Sequence, residues 1–284
     1  MTFHTISYRA KKNNEMEKRI FDEIRKIVYE VSGINLIEGK EALVSARISK
    51  RMRALSIPDF RSYLKYLKSD ESGLEMISLI DVISTNVTSF FREQQHFVFL
   101  KEIVQSWLND GQRSFRLWSA ASSTGEEPYT IAITMLETLT GVKADVKILA
   151  TDISTNVLAR CEKGTYSEEK VKPVPHMIRD RYFELERLDN EKFFTVKPMI
   201  KKMLTFRRLN LSQVPYPMKG PFDVVFCRNV MIYFDNTIRK QLLDEIYRLL
   251  RPDGILIVGH SESLTGLNTS FKALKPSIYV KIGM

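Results

Sequence analysis

Apolar positions recur at helical spacing along the first third of the chain. In EMEKRIFDEIRKIVYEVSG (15–33), Ile20, Ile24, Ile27, Val28 and Val31 share a face, and Gly33 supplies a stop. GKEALVSARISKRMRAL (39–55) predicts a second helix. IPDFRSYLKYLKSD (57–70) predicts a third, with Pro58 near its first turn, and SGLEMISLIDVIST (72–85) a fourth. Residues 15–84 therefore predict a small all-helical domain, and 85–112 a linker and helix. Residues 1–14 have few large aliphatics and end in KKNN, as a flexible tail would.

From 113 onward the period changes. SFRLWSAA (114–121) predicts a strand and EEPYTIAITMLETL (126–139) a helix; DVKILATDI (145–153) is again a strand and STNVLARCEKG (154–164) a helix. Further strands are expected in MLTFRRLNL (203–211), FDVVFCRNV (222–230) and ILIVGHSE (255–262). A helix is expected over NTIRKQLLDEIYRLLRPDG (236–254), and a closing hairpin in FKALKPSIYVKIG (271–283). Strands alternating with helices predict an α/β domain, 113–284, around a mostly parallel sheet. The alternation breaks over about 164–203. There FFTVKPMIKKMLTFRR (193–208) reads as antiparallel strands around a short turn, a small β insertion.

Composition narrows the class. The chain has 284 residues, 44% hydrophobic and 27% charged, which is ordinary for a globular protein. The longest apolar runs, such as GILIVG (254–259), are far short of a membrane span, and the N-terminus has no apolar signal-like segment. Cys161 and Cys227 stand alone, without a Cys/His cluster, so neither zinc nor any other metal is expected and a cytoplasmic location is. The net charge of +9 favours an anionic partner. The charge is uneven: between 39 and 65 seven basic residues stand against two acidic ones. Arg47, Lys50 and Arg51 share a face at i, i+3, i+4. That face is either simply solvated or a groove for an acidic partner.

Ligands of open α/β sheets bind beyond the carboxyl ends of the strands. Those tips read Ala120-Ala121-Ser122-Ser123-Thr124-Gly125-Glu126, then Asp152, then Asn210-Leu211, then Cys227-Arg228-Asn229. Small side chains let a ligand approach the backbone. An acid ending the second strand suits a ribose diol, and an asparagine offers both donor and acceptor to an adenine edge. The helix starts with Glu126 and Glu127, which would repel a pyrophosphate but tolerate a sulfonium and an ammonium. This points to S-adenosylmethionine (AdoMet) rather than a dinucleotide. Acids in a first helical turn also occur for dipole reasons alone, and Asp152 could cap the helix that follows.

With these residues in place, the chain closely resembles the chemotaxis receptor glutamate methyltransferases, the CheR family. The matching stretches are ISTNVTSFFRE (83–93), LWSAASSTGEEPYTIAI (117–133), ATDISTNVLARCEKGTY (150–166), FDVVFCRNVMIYFD (222–235) and LLRPDGILIVGHSESL (249–264). The resemblance implies a Rossmann-like AdoMet-dependent methyltransferase sheet with a small antiparallel β subdomain, preceded by an all-helical domain. It implies that Asn86, Thr88 and Arg92 close over the methionine end of the cofactor. Glu126 follows strand one, Asp152 holds the ribose, Asn210 and Leu211 border the adenine, and Arg228 and Asn229 line the next tip. Tyr233 lies near the transferred methyl. The basic face of Arg47, Lys50 and Arg51 corresponds to the contact with the acidic methylation helices of transmembrane chemoreceptors. In part of the family the β subdomain docks a tether peptide at the receptor's C-terminus. A monomer is expected.

The implied reaction moves a methyl group from AdoMet to a glutamate carboxylate, giving a methyl ester for chemotactic adaptation. A glutamate is ionised at pH 7, so no general base is needed. Arg92 would orient the carboxylate through its planar donor fork, and Tyr233 would donate a hydrogen bond or wall the methyl path. Two alternatives have other marks. A nucleic-acid methyltransferase would carry an Asp/Asn-Pro-Pro-Tyr where this chain has CRNVMIYF, and no nucleic-acid partner is expected. A non-catalytic AdoMet-binding docking module would bind the cofactor without turnover. GHSES (259–263) lacks the final glycine of a hydrolase elbow.

Overall fold

In the computed structural model, residues 16–37, 39–84 and 87–282 are described. The expected tail, 1–14, and Asn86 lie outside them. The chain divides into two compact units between residues 86 and 87.

The first unit is helical, as the periodicity predicts: α1 (Lys18–Ser32), α2 (Glu41–Ala54), α3 (Phe60–Ser69) and α4 (Leu74–Ile83). α1 buries Ile20, Phe21, Ile24 and Val28, and ends where Gly33 adopts φ 73° and donates its N–H to the Tyr29 carbonyl. α3 starts at the N-cap Asp59, whose carboxylate accepts from Ser62 N at 2.8 Å, so Pro58 stands before the cap and not in the first turn. One carboxylate organises the interior. Glu75, 2% exposed, accepts from Tyr63 Oη at 2.7 Å and from Arg51 Nη2 at 2.6 Å.

The second unit holds α5 (Gln95–Asn109), β1 (Ser114–Ser119), α6 (Glu126–Thr138), β2 (Asp145–Asp152) and α7 (Thr155–Lys163). Next come β3 (Thr165–Ser167), α8 (Glu168–Val171), α9 (His176–Tyr182), β4 (Phe183–Leu188), β5 (Glu191–Val196) and α10 (Pro198–Lys201). β6 (Leu204–Arg208), β7 (Phe222–Cys227), a 3₁₀ turn (Met231–Tyr233), α11 (Asn236–Leu249), β8 (Leu250–Val258), β9 (Phe271–Lys275) and β10 (Ile278–Lys281) complete it. The main sheet runs β6-β2-β1-β7-β8-β10-β9. β6, β2, β1, β7 and β8 are parallel, and β10 runs antiparallel to both its neighbours. β7 is buried along its whole length, as a central parallel strand must be. Its alternate residues feed two cores: Val224 and Phe226 face Phe97, Phe115 and Ile131, while Val225 and Cys227 face Trp118, Leu242 and Ile246. Strand order reverses at β1, between β2 and β7, which makes that crevice the natural ligand site.

Two sequence expectations fail. The helix expected to reach Gly254 ends at Leu249, and Leu250 already pairs with Phe222 in β8. Pro252 cannot continue a helix and biases Arg251 toward extended backbone. The antiparallel pair expected within 193–208 does not form. Phe193–Val196 lies in β5, the centre of a separate sheet ordered β3-β5-β4, whereas β6 joins the main sheet beside β2. The hairpin turn of the small sheet is Asp189-Asn190, both at positive φ (48° and 66°), the geometry that a two-residue turn needs.

Candidate active site

The site grows from the strand ends. β1 runs into Ala120, whose N–H bonds to Phe226 O at 2.8 Å, and Ser122 N donates to Thr151 O at 2.9 Å, so the turn is sewn to both neighbouring strands. Gly125 then takes φ 99° as the N-cap of α6. Only glycine fits: a Cβ there would lie 2.7 Å from Tyr166 Oη, which itself donates to Thr124 O.

The two acids at the start of α6 are not bare charges. Glu126 is fully buried, accepts from Thr124 Oγ1 at 2.6 Å and pairs with Lys170 Nζ at 3.1 Å. Glu127 accepts from Ser119 Oγ at 2.7 Å and from Arg228 Nη1 at 2.8 Å. Burial pushes Glu127 up, against the pull of Arg228. The argument that these acids repel a pyrophosphate is therefore corrected, because each has a cation beside it.

Asp152 ends β2, half-buried, with Oδ2 accepting from Ser123 N at 2.9 Å and Oδ1 from Ser154 N at 3.1 Å. It does not cap α7; Ser154 does, accepting from Val157 N. Leu209 N donates to Asp152 O, which sets Asn210 just past the same tip. The Asn210 Oδ1 accepts from Ser212 N and Oγ, fixing its amide plane. Leu211 is buried in the core with Trp118 and Tyr216.

Arg228, expected at the β7 tip, is 5% exposed; its Nη1 and Nη2 are engaged by protein, while its buried Nε has no hydrogen-bond partner among the described residues. Besides Glu127, it donates to Glu93 Oε2 at 3.1 Å and to Arg92 O at 2.5 Å, and it lies over the Phe97 ring. Arg228 thus ties the segment bearing Arg92 to the tip of β7. Arg92 is half-buried beside it, its own Nη1 donating to Val87 O. Thr88 is also half-buried. Asn229 follows at φ 57°, its Nδ2 3.4 Å from Glu93 Oε1. Tyr233 closes the 3₁₀ turn, half-buried. The second unit thus has Glu126, Asp152, Asn210 and Asn229 at or past the ends of β1, β2, β6 and β7, Arg92 on the segment that Arg228 holds, and Tyr233 in the 3₁₀ turn after β7. Arg47, Lys50 and Arg51 belong to the helical unit. Lys50 is exposed, whereas Arg47 donates to Ile83 O and Arg51 to Glu75, so two of the three also hold that unit together.

Sequence reasoning missed Glu93, His96, Lys170, His260 and Glu262. Glu93 and His96, three residues apart, and the distant His260 bring ligand-type atoms within 4.8 Å of one another. Glu93 already accepts from Arg228 and from His260 N, and the rings of His96 and His260 meet edge to face at 4.9 Å. The cluster therefore reads as packing around Arg228. Burial and the Arg228 charge push His96 down to about 4, so it is neutral at pH 7.

The donor set fits AdoMet. A half-buried carboxylate at the β2 tip and a fixed amide at the β6 tip suit a ribose and an adenine. Sheet order and strand-tip chemistry define a nucleoside-binding α/β domain, and the family match makes it an AdoMet-dependent methyltransferase. The family comparison is specific. Residues 86–280 match the CheR methyltransferase SAM-binding domain and residues 19–84 the CheR methyltransferase all-alpha domain, so the chain belongs to the CheR methyltransferase family. It is 39% identical over 276 residues to the chemotaxis protein methyltransferase of Borreliella burgdorferi, covering 95% of this chain and 96% of the relative. It is 38% identical over 259 residues to the chemotaxis protein methyltransferase of Escherichia coli, covering 91% and 89%. AdoMet is the cofactor, and among the described residues no helix is long and apolar enough to cross a membrane.

Proposed function

We propose that this protein methylates glutamate side-chain carboxylates on the cytoplasmic helices of chemoreceptors, forming methyl esters, and that it works in the cytoplasm. The observation that carries this reading is the placement of Arg92. Its guanidinium, with Nη1 on Val87 O, sits on a segment clamped to the β7 tip, and a planar donor fork suits a carboxylate acceptor. AdoMet, when bound, supplies an electrophilic methyl on a sulfonium.

The protein's own tasks are then binding, alignment and exclusion of water. Asp152 accepts from the ribose hydroxyls, and Asn210 meets the adenine edge. Thr88 and Glu126 border the methionine end, and Asn229 borders it from the β7 tip. Arg92 orients the acceptor carboxylate, and Tyr233 walls the methyl path. An ionised glutamate needs no base, so alignment and exclusion of water suffice. The exposed Lys50, with what Arg47 and Arg51 leave unspent, supplies positive charge toward acidic receptor helices. The relatives' names, which place them in chemotaxis, support the receptor as acceptor.

The test is transfer of label from methyl-tritiated AdoMet to a receptor cytoplasmic fragment. Label released as methanol by mild base is expected. Base-stable label, or label on nucleic acid, contradicts the reading. AdoMet binding with no transfer to any receptor fragment supports a docking module instead.

A further inference from the structure

We propose that Glu262 is a positioning residue for the transfer reaction, holding the segment from Asn229 to Tyr233 at the tip of β7; this rests on the role given to Tyr233 above. Glu262 lies in the turn after β8 and is 2% exposed. It has no cation partner among the described residues. Instead it is held by backbone amides from two elements. Oε2 accepts from Gly259 N at 2.8 Å and from Asn229 N at 2.6 Å, and Oε1 accepts from Ile232 N at 3.3 Å. A buried carboxylate without these donors would be strongly disfavoured, so the three amides and the charge require one another.

The geometry around it has little slack. Asn229 takes φ 57°, a left-handed backbone that asparagine tolerates better than most other residues. Its N–H is bound by Glu262, and its side-chain amide points toward Glu93. A Cβ on Gly259 would lie 2.5 Å from Asn229 Nδ2 and 2.8 Å from Glu262 Oε2, so the approach of β8 to this segment needs a glycine. The Glu262 N–H closes its own turn onto Gly259 O at 2.9 Å. On the far side Tyr233 N bonds to Val230 O, and Met231 is buried. Ile232, whose amide Glu262 holds, immediately precedes Tyr233. Glu262 therefore sets where Tyr233 stands without touching any reacting atom. A misplacement of about an ångström costs roughly a hundredfold in a reaction that depends on alignment.

The test uses Glu262→Gln, whose single acceptor oxygen cannot serve all three amides, with Gly259→Ala as an independent disturbance of the same contact. Melting curves establish that each variant folds. Amide exchange at Asn229 and Ile232 is expected to speed up at least about tenfold in Glu262→Gln, the scale of one lost buried hydrogen bond. The turnover rate is expected to fall by about tenfold or more, with affinity for S-adenosylhomocysteine changed by less than about threefold. In a Tyr233→Ala background the Glu262→Gln effect on turnover should largely vanish, since both act through one group. Exchange at those amides as slow as in the wild type overturns the proposal. So do turnover losses that multiply in the double variant. If the wild type transfers no methyl to receptor fragments, the methyltransferase reading fails, and amide exchange alone decides whether Glu262 holds the segment.

Discussion

At the scale of single residues, Arg92 and Arg228 divide labour that their charge alone does not reveal. Arg228 is walled in by Glu127, Glu93 and the Phe97 ring, and Arg92 is half-buried beside it. Arg92→Ala should therefore lower turnover by about a hundredfold, while affinity for S-adenosylhomocysteine falls less than about fivefold, because the loss lies in alignment. Steady-state kinetics beside calorimetry read both, and equal losses would contradict the orienting role. His96 makes a different prediction. It is 1% exposed with both ring nitrogens lacking a hydrogen-bond partner, and burial holds it down to about 4. Its ordinary value is near 6.5, so between these limits the unfolded chain binds the extra proton and the folded one does not. Stability then falls as pH drops through that window, by about 3 kcal/mol at pH 4 from this group. In His96→Gln the loss between pH 6.5 and pH 4 should be smaller by about that amount, read by denaturant unfolding at each pH.

At the scale of elements, the proposed cofactor binding rests on the turn between β1 and α6. Gly125→Ala meets both a left-handed backbone and the Tyr166 hydroxyl. It should cost about 2–3 kcal/mol of stability and weaken S-adenosylhomocysteine binding at least tenfold, measured by thermal melts and titration. Elements whose apolar period matches their burial were legible from sequence: α1, α3, β1, β2, β7 and the closing hairpin. The strand tips were legible too, since topology alone places Asp152, Asn210 and Asn229. The small antiparallel sheet was legible as an insertion at about 164–203, but its strand pairing was not. Its β4 is exposed along nearly its whole length, so no alternation marks it, and Asp189-Asn190 was the one local signal for its turn. Which charges pair was equally invisible. Glu127 and Arg228 are about a hundred residues apart, and only the sheet brings β1's helix and β7's tip together.

At the scale of the molecule, the net charge of +9 bears on the partner and not on the cofactor. The receptor KM should rise steeply between about 0.05 and 0.5 M salt as the Debye length shortens, while the AdoMet KM, which depends on short-range contacts, changes little. A salt-insensitive receptor KM would remove the basic face from the account. That face was legible as charge. Its structural share was not, because Arg51 meets the buried Glu75 through tertiary packing alone. The most direct test of the central claim is tandem mass spectrometry of a receptor fragment incubated with the protein and AdoMet, before and after mild base. One added methyl on particular glutamates, lost in base, is expected. Methyl groups on other side chains, or on glutamates whose label survives base, would contradict it.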